Sequence, residues 1–143
     1  RPNSRNVVPG EVFFTVDVRH PDESVLDAME AELRTAYLEV LGPLRLAFTA
    51  TRIWSAAPVK FSPELIDCVR IGAAAAGFST RDMISGAGHD ACYVSRVAPT
   101  TMIFVPCAGG ISHNEAESTE PSECAAGAQV LLNAVLEFDR RLG

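Results

Sequence analysis

The sequence predicts an α/β fold, and three patterns along the chain lead to this prediction. Residues 12–19 alternate between apolar and polar side chains, which is typical of a strand with one buried face. A helical pattern follows over residues 22–42, and a second alternating segment runs from Leu44 toward Trp54. Beyond residues 55–62, helix and strand patterns alternate to the last residue.

Residues 1–58 are predicted to form a strand-helix-strand unit. The turn signal Pro9-Gly10 precedes the first strand, and His20-Pro21-Asp22 stops that strand and opens the helix. Apolar residues then recur at helical spacing until Gly42 ends the helix. Pro58 and the small residues around it interrupt both periodicities, which predicts a domain boundary near residue 58.

Residues 59–143 are predicted to alternate helix and strand. A helix begins at Pro63 and ends at Gly77. A short strand at residues 81–84, a glycine turn at 86–88 and a helical stretch at 91–94 follow it. The apolar run at residues 101–105 is typical of a buried strand in a parallel sheet, and a long amphipathic helix opens at Pro121. The second half therefore has the pattern of an α/β layer.

Composition excludes several classes of partner. The chain has 143 residues, with 12 Lys and Arg against 18 Asp and Glu, and a net charge of −6 at pH 7. A net negative charge does not attract a nucleic-acid backbone or an anionic membrane, which are themselves negatively charged. Its apolar runs are far shorter than the roughly 20 residues that cross a bilayer. We therefore expect a soluble, acidic protein that binds neither nucleic acid nor membrane.

The four cysteines predict a reducing compartment. They are widely spaced without a C-x-x-C pair, and most lie in apolar stretches where a free thiol behaves as a small hydrophobe. We expect a cytoplasmic protein without disulfides. The chain starts at Arg1 with no signal-peptide pattern, so we also expect a processed or truncated chain without a secretory signal.

The loop after the predicted buried strand is the first candidate site. Residues 107–117 read C-A-G-G-I-S-H-N-E-A-E, and ligands of α/β proteins bind in loops at such strand ends. His113 can reach a metal ion from this loop. One histidine makes no metal site, however, so a solvated loop with an incidental histidine stays open as an interpretation.

Residues Gly86 to Ala91 satisfy the pattern G-x-G-x-x-A of a dinucleotide-binding loop. The preceding strand is short, and no acid follows a second strand at about 20 residues, as the ribose contact requires. A tight turn that presents His89 as a hydrogen-bond donor or acid fits better. A glycine turn with a purely structural role is equally compatible with these residues.

Arg19 and Asn6 are the third candidate. An arginine at the end of a predicted strand is usually a surface residue, which is the favoured interpretation of Arg19 alone. Its planar fork of donors is also the preferred partner of a carboxylate. The sequence has no H-E-x-x-H, P-loop or G-x-S-x-G motif, which excludes several enzyme classes.

Four motifs, in this order, carry a family resemblance: R-N-V-V-P-G at 5–10, V-D-V-R-H-P-D at 16–22, S-G-A-G-H-D-A at 85–91 and G-I-S-H at 110–113. Essentially the whole chain resembles the C-terminal portion of N-carbamoyl-L-amino-acid hydrolases, β-ureidopropionases and allantoate amidohydrolases. These are dinuclear zinc peptidases of the aminoacylase and carboxypeptidase G type. The resemblance implies that residues 1–58 belong to a lid and dimerisation domain, and residues 59–143 to the C-terminal α/β part of a zinc-peptidase-like catalytic domain.

The resemblance also implies roles for particular residues. His113 matches a metal ligand, and His89 is implied as a catalytic residue beside the reacting carbonyl. The implied substrate-binding residues are Asn6, Arg19, Gly88 and His89, with Arg19 binding the substrate carboxylate. Glu117 matches an acid four places after the metal-binding histidine, with an orienting role. Glu115 departs from the family, which often has proline at that place.

The implied function is hydrolysis of a C–N bond in an N-carbamoyl (ureido) amino acid or in allantoate. The enzyme would be a cytoplasmic homodimer with two metal ions per full-length subunit, either zinc or manganese, cobalt or nickel. The other metal ligands and the glutamate general base match nothing in this sequence, so the chain alone is expected to be inactive. The sequence leaves open which ureido acid is the substrate.

A distance estimate predicts a site shared between subunits. An extended strand rises about 3.3 Å per residue, which places Asn6 and Arg19 on the order of 20 Å apart. One small substrate cannot contact both in one chain, so we expect Asn6 to reach the partner's site in a homodimer. Two alternatives stay open: a non-catalytic fragment that packs and dimerises through residues 1–58, and a nucleotide-binding module on Gly86–Ala91.

Overall fold

A computed structural model describes all of residues 1–143. It contains four α-helices: α1 (Glu23–Leu41), α2 (Pro63–Ala75), α3 (Ala91–Val94) and α4 (Pro121–Leu142). A single 3-10 turn spans Ala108–Gly110. The chain divides into two compact units, Arg1–Pro58 and Val59–Gly143. That the first unit is part of a lid domain and the second part of a catalytic domain remains a prediction.

The prediction of an α/β fold is wrong, because the structure contains helices and no strand. Residues 12–19, 44–54, 81–84 and 101–105, all predicted as strands, are not strands in the structure. Alternation of apolar and polar residues reports only which side chains would share a face of an extended segment, whereas a strand also requires hydrogen bonds to a neighbouring backbone. Neither the predicted strand-helix-strand unit nor the predicted second α/β layer therefore contains a sheet.

The helix predicted over residues 22–42 is confirmed as α1. Asp22 caps its first turn by accepting a hydrogen bond from the Ser24 N–H at 2.9 Å, and the Gly42 N–H closes the last turn on the Leu38 carbonyl at 3.0 Å. No residue of α1 is fully buried. The helix contacts its own unit through Tyr37, whose ring centroid lies 4.7 Å from that of Phe48.

An ion network centred on Glu30 also ties α1 to the segment that follows it. Glu30 accepts hydrogen bonds from Arg34 Nε at 2.9 Å and from Arg52 Nε at 2.8 Å. Arg34 additionally donates to the Ala50 carbonyl at 3.3 Å. Because Glu30 is partly buried and receives both guanidinium groups, their hydrogen bonds hold the pKa of its carboxyl below the usual value of 4.5.

Helices α2 and α4 form the core of the second unit. The buried side chains are Cys68 and Ala73 of α2 with Val130 and Ala134 of α4. Gly72 allows the two helices to approach closely, because a Cβ at that position would lie 2.9 Å from the Ala134 backbone nitrogen. Asn133 Nδ2 bridges the same interface by donating to the Gly72 carbonyl at 2.9 Å.

All four cysteines are free in the structure. Cys68 is 1% exposed and Cys124 is exposed, so they differ in access to solvent rather than in pairing. None of the helices combines the length and hydropathy needed to cross a bilayer.

Candidate functional site

Arg19, in the first unit, is paired with a carboxylate of its own chain. Its Nε donates to Asp17 Oδ1 at 3.0 Å and its Nη2 to Asp17 Oδ2 at 2.6 Å, which is a bidentate geometry. The two side chains are 60% and 65% exposed. The hydrogen bond from Arg19 holds the pKa of Asp17 below its usual value. Arg19 therefore binds a carboxylate of its own chain, and its contact with a substrate carboxylate remains a prediction.

Asn6 also lies in the first unit and is exposed. Its Oδ1 accepts a hydrogen bond from the Ser4 hydroxyl at 2.9 Å. The amide nitrogen of Asn6 makes no hydrogen bond within the chain, so it is accessible to an acceptor on another molecule. The contact of Asn6 with a substrate in the partner's site remains a prediction.

His89 is held in the glycine turn of the second unit by a serine four residues earlier. Its Nε2 lies 2.7 Å from Ser85 Oγ, and the same hydroxyl accepts the Ala87 N–H at 3.2 Å. The ring of Phe104 packs edge-on against the imidazole, with 5.6 Å between the centroids. His89 is half-buried, while the neighbouring Gly88 is exposed with open space around its Cα. The turn therefore presents an oriented imidazole beside accessible backbone.

The structural context of a dinucleotide-binding loop is absent at Gly86–Ala91. No strand precedes the turn, and α3, which follows it, has four residues. A dinucleotide loop requires a strand before it and a full helix after it, whose N-terminus binds the pyrophosphate. The nucleotide-binding alternative thus lacks both of its supporting elements.

His113 lies in a loop closed by hydrogen bonds on both sides. The Ala108 N–H donates to the Ser118 carbonyl at 2.8 Å, and Thr119 Oγ1 donates to the Pro106 carbonyl at 2.7 Å. Within this loop His113 has a left-handed backbone, with φ at 56°, which is uncommon for a residue other than glycine. Its side chain is exposed and its ring makes no hydrogen bond within the chain.

Glu117 maintains this conformation of His113. Its Oε2 accepts a hydrogen bond from the His113 backbone N–H at 2.8 Å, and its Oε1 lies 3.8 Å from Cys107 Sγ. The carboxylate therefore contacts the backbone of His113 rather than its ring. The orienting role of Glu117 toward a metal-binding imidazole remains a prediction.

A metal centre does not fit this chain alone. His113 offers an accessible imidazole, which suits one ligand position, but no group of three or more His, Cys, Asp or Glu side chains lies close enough to hold a metal ion. Catalytic zinc sites use three protein ligands and keep one position open. The role of His113 as one such ligand remains a prediction.

The structure brings some predicted residues together and leaves others apart. Gly88 and His89 share one turn, whereas no hydrogen bond or ion pair joins His89 to His113. Two surface depressions, one along α2 and α4 and one along residues 81–84, contain none of the predicted site residues. The sequence motifs did not identify Ser85 as a site residue. Its position four residues before His89, across a glycine turn, could have indicated a contact between the two side chains.

Comparison with known proteins gives a consistent family. Residues 4–137 match the family model described as peptidase family M20/M25/M40. An N-carbamoyl-L-amino-acid amidohydrolase of Rhizobium meliloti is 48% identical over 136 residues, covering 95% of this chain and 33% of that protein. An allantoate amidohydrolase of Escherichia coli strain K12 is 36% identical, covering 92% of this chain and 32% of that protein.

Solved structures agree with these matches. The crystal structure of an amidase of the hydantoinase/carbamoylase family from Burkholderia multivorans is 52% identical with a TM-score of 0.88, covering 93% of this chain and 32% of that one. The chain therefore spans about a third of the length of its relatives. The family match covers nearly all of its residues, and the chain belongs to peptidase family M20/M25/M40, among the relatives that include N-carbamoyl-L-amino-acid and allantoate amidohydrolases.

Proposed function

We propose that this chain is part of a metal-dependent amidohydrolase that cleaves a C–N bond in the ureido group of an N-carbamoyl amino acid or of allantoate. The observation that carries the proposal is the 48% identity, over 95% of this chain, to an N-carbamoyl-L-amino-acid amidohydrolase. Allantoate amidohydrolases match nearly the same span. Both names describe substrates with a ureido group and a carboxylate. The proposal therefore requires one residue that binds the carboxylate and another that acts on the ureido carbonyl.

Arg19 is proposed to bind the substrate carboxylate. Its guanidinium holds the Asp17 carboxylate with two hydrogen bonds, so its fork already has the geometry that a substrate carboxylate needs. The ion pair is largely exposed, which lets a substrate exchange with Asp17 at modest cost. Arg19 thus selects acidic ureido compounds over neutral ureas.

His89 is proposed to act on the ureido carbonyl. When water adds to that carbonyl, negative charge develops on its oxygen, and an oriented hydrogen-bond donor lowers the energy of this charge. The imidazole of His89 is oriented by Ser85 and Phe104, and the exposed Gly88 backbone adjoins it. His89 would stabilise the oxyanion, and Gly88 would contribute through its backbone.

His113 is proposed as one metal ligand of the full-length enzyme. Enzymes of this family are generally metal-dependent, and the accessible imidazole of His113 is a suitable donor for zinc, manganese, cobalt or nickel. We propose two metal ions per full-length subunit. Because this chain offers one ligand, no residue in it is assigned to activation of water, and the chain alone is proposed to be inactive.

The enzyme is proposed to be a cytoplasmic homodimer in which Asn6 serves the partner's site. The amide nitrogen of Asn6 is exposed and uncommitted, as such a contact requires. A mixed dimer of Asn6→Ala and Arg19→Ala subunits tests this arrangement in the full-length enzyme. One of the two sites of a mixed dimer keeps both residues, so purified mixed dimers should recover about half of the wild-type activity. An equal random mixture of the two variants, in which half of the dimers are mixed, should recover about a quarter. Mixed dimers without any recovery would contradict the shared site.

The substrate assignment is tested with steady-state kinetics on N-carbamoyl-L-amino acids and allantoate, using the full-length enzyme. Arg19→Ala removes two charge-assisted hydrogen bonds and is expected to raise KM about 10- to 100-fold. Arg81→Ala is the matched control, because it removes one exposed arginine that has no ion pair in the structure. Equal KM values in both variants would remove Arg19 from substrate binding.

A further inference from the structure

Ser85 makes two hydrogen bonds that together determine where its proton lies. The Ala87 backbone N–H, 3.2 Å from Ser85 Oγ, can only donate, so it occupies a lone pair of the hydroxyl. The second contact of Ser85 Oγ is His89 Nε2, at 2.7 Å. The hydroxyl proton has no acceptor in the chain other than this ring nitrogen. Both contacts are satisfied when the Ser85 hydroxyl donates to His89 Nε2.

This assignment fixes the tautomer of the imidazole. A neutral histidine carries one ring proton, and a ring nitrogen that accepts a hydrogen bond is the one without it. If Nε2 accepts from Ser85, the proton of His89 is on Nδ1. The opposite tautomer would direct Nε2–H at Ser85 Oγ and leave the half-buried hydroxyl proton without a partner in the chain, which costs free energy.

We propose that Ser85 is a positioning residue that holds His89 as the Nδ1–H tautomer, so that Nδ1–H is the donor offered to the ligand of this turn. Nδ1 makes no hydrogen bond within the chain. The edge of the Phe104 ring, 5.6 Å away between centroids, restricts rotation of the imidazole about the Ser85 contact. Ser85 and Phe104 together fix both the proton and the direction of the ring.

The catalytic meaning of this tautomer rests on the proposed function, whereas the tautomer itself does not. A donor to a developing oxyanion must carry a proton on the nitrogen that faces the ligand before the reaction begins. With Ser85 in place, the neutral imidazole meets this condition without being protonated a second time. Without Ser85, His89 populates both tautomers, and part of the population presents a lone pair to the carbonyl.

His20 provides an internal control in the same chain, because its expected tautomer is the opposite of the one proposed for His89. His20 Nδ1 accepts a hydrogen bond from the Asp22 backbone N–H at 3.0 Å. His20 Nδ1 also lies 3.3 Å from the Asp22 carbonyl oxygen, but its shorter contact is with an N–H that can only donate, so we expect neutral His20 to carry its proton on Nε2. The chain has three histidines, so His20 and His89 are readily distinguished in one spectrum.

The test is long-range proton–nitrogen correlation NMR on the nitrogen-15-labelled 143-residue chain at about pH 8, where unpaired imidazoles are neutral. We expect His89 to show the Nδ1–H pattern and His20 the Nε2–H pattern. Ser85→Ala should convert His89 to a mixture of tautomers, and Ser85→Thr, which keeps the hydroxyl, should retain Nδ1–H. Ser95→Ala is the control, because it removes a hydroxyl that bonds to the Cys92 carbonyl and not to His89.

An Nε2–H pattern for wild-type His89, or a tautomer unchanged by Ser85→Ala, would overturn the proposal. Kinetics of the full-length enzyme then test the proposed function separately. Ser85→Ala should lower kcat about 10-fold or more with a smaller effect on KM, and Ser85→Thr should restore kcat; loss of an oxyanion donor itself costs about 10²- to 10³-fold. A tautomer that shifts while kcat stays constant would support the positioning by Ser85 and contradict the catalytic role of His89.

Discussion

The Glu117 carboxylate accepts a hydrogen bond from the backbone N–H of His113 at 2.8 Å, and His113 has a left-handed backbone with φ at 56°. A residue with a Cβ pays about 1–2 kcal/mol for this conformation. A charge-assisted hydrogen bond is strong enough to offset that cost. The proposed metal ligand is therefore held by an acid four residues away that contacts its backbone rather than its imidazole.

Glu117→Ala is predicted to release the His113 backbone. Without the carboxylate, the His113 amide loses its only acceptor, and its hydrogen exchange should accelerate by at least several-fold because local opening no longer breaks a hydrogen bond. Hydrogen exchange followed by NMR measures this directly. Glu117→Gln is the matched variant, since its side-chain carbonyl can accept the same bond. Unchanged protection in Glu117→Ala would show that the loop holds His113 without Glu117.

Gly72→Ala is predicted to destabilise the second unit. The new Cβ would lie 2.9 Å from the Ala134 backbone nitrogen, which belongs to a helix and cannot move aside alone. Overpacking of this kind costs about 1–3 kcal/mol, and alanine regains about 1 kcal/mol of helix propensity, so we expect a net loss of up to about 2 kcal/mol. Denaturant unfolding checks this, with Gly88→Ala as control because nothing lies within 4 Å of its added methyl.

The network at Glu30 predicts acid sensitivity of the first unit. Hydrogen bonds from Arg34 and then Arg52 lower the pKa of Glu30 in the folded state from 4.5. A lowered pKa contributes stability that is present above pH 4.5 and is lost as pH falls through the folded-state value. Melting temperatures measured between pH 7 and pH 2 should therefore fall less steeply in Glu30→Gln than in the wild type. Glu39→Gln, on the same helix without an ion pair, should follow the wild type.

Asp17→Asn is predicted to strengthen binding of carboxylate substrates to Arg19. Asp17 and a substrate would compete for the same guanidinium, and an amide is a weaker competitor than a carboxylate. In the full-length enzyme we expect KM to fall several-fold with little change in kcat. Asp139→Asn changes the same charge in the second unit and should leave KM unaltered. A higher KM in Asp17→Asn would mean that Asp17 orients Arg19 rather than competes for it.

The helices were predictable because their signals are local. Asp22 and Gly42 bound α1, and Pro63 and Pro121 each occupy the first position of their helix. The strands were mispredicted because pairing depends on residues distant in sequence, which alternation at residues 12–19 cannot report. The same limit applies to the α2–α4 core, where Gly72 meets Ala134 across 62 positions of sequence.

The candidate site was predictable in its positions but not in its contacts. The motifs identify His89 and Arg19, yet neither the Ser85 hydrogen bond nor the Asp17 ion pair was predicted from them. Both partners lie two to four residues away, so the signal was present in the sequence. It was not decisive because serine and aspartate beside a turn or on a polar surface usually bond to backbone or water.

The most direct test of the central claim is the release of free amino acid from an N-carbamoyl-L-amino acid by the full-length, metal-loaded enzyme, by its His89→Ala variant and by the isolated 143-residue chain. We predict turnover by the full-length enzyme, a kcat lower by about 10²- to 10³-fold in His89→Ala, and no turnover by the isolated chain. A full-length enzyme that hydrolyses neither N-carbamoyl amino acids nor allantoate, or an unchanged kcat in His89→Ala, would contradict the account.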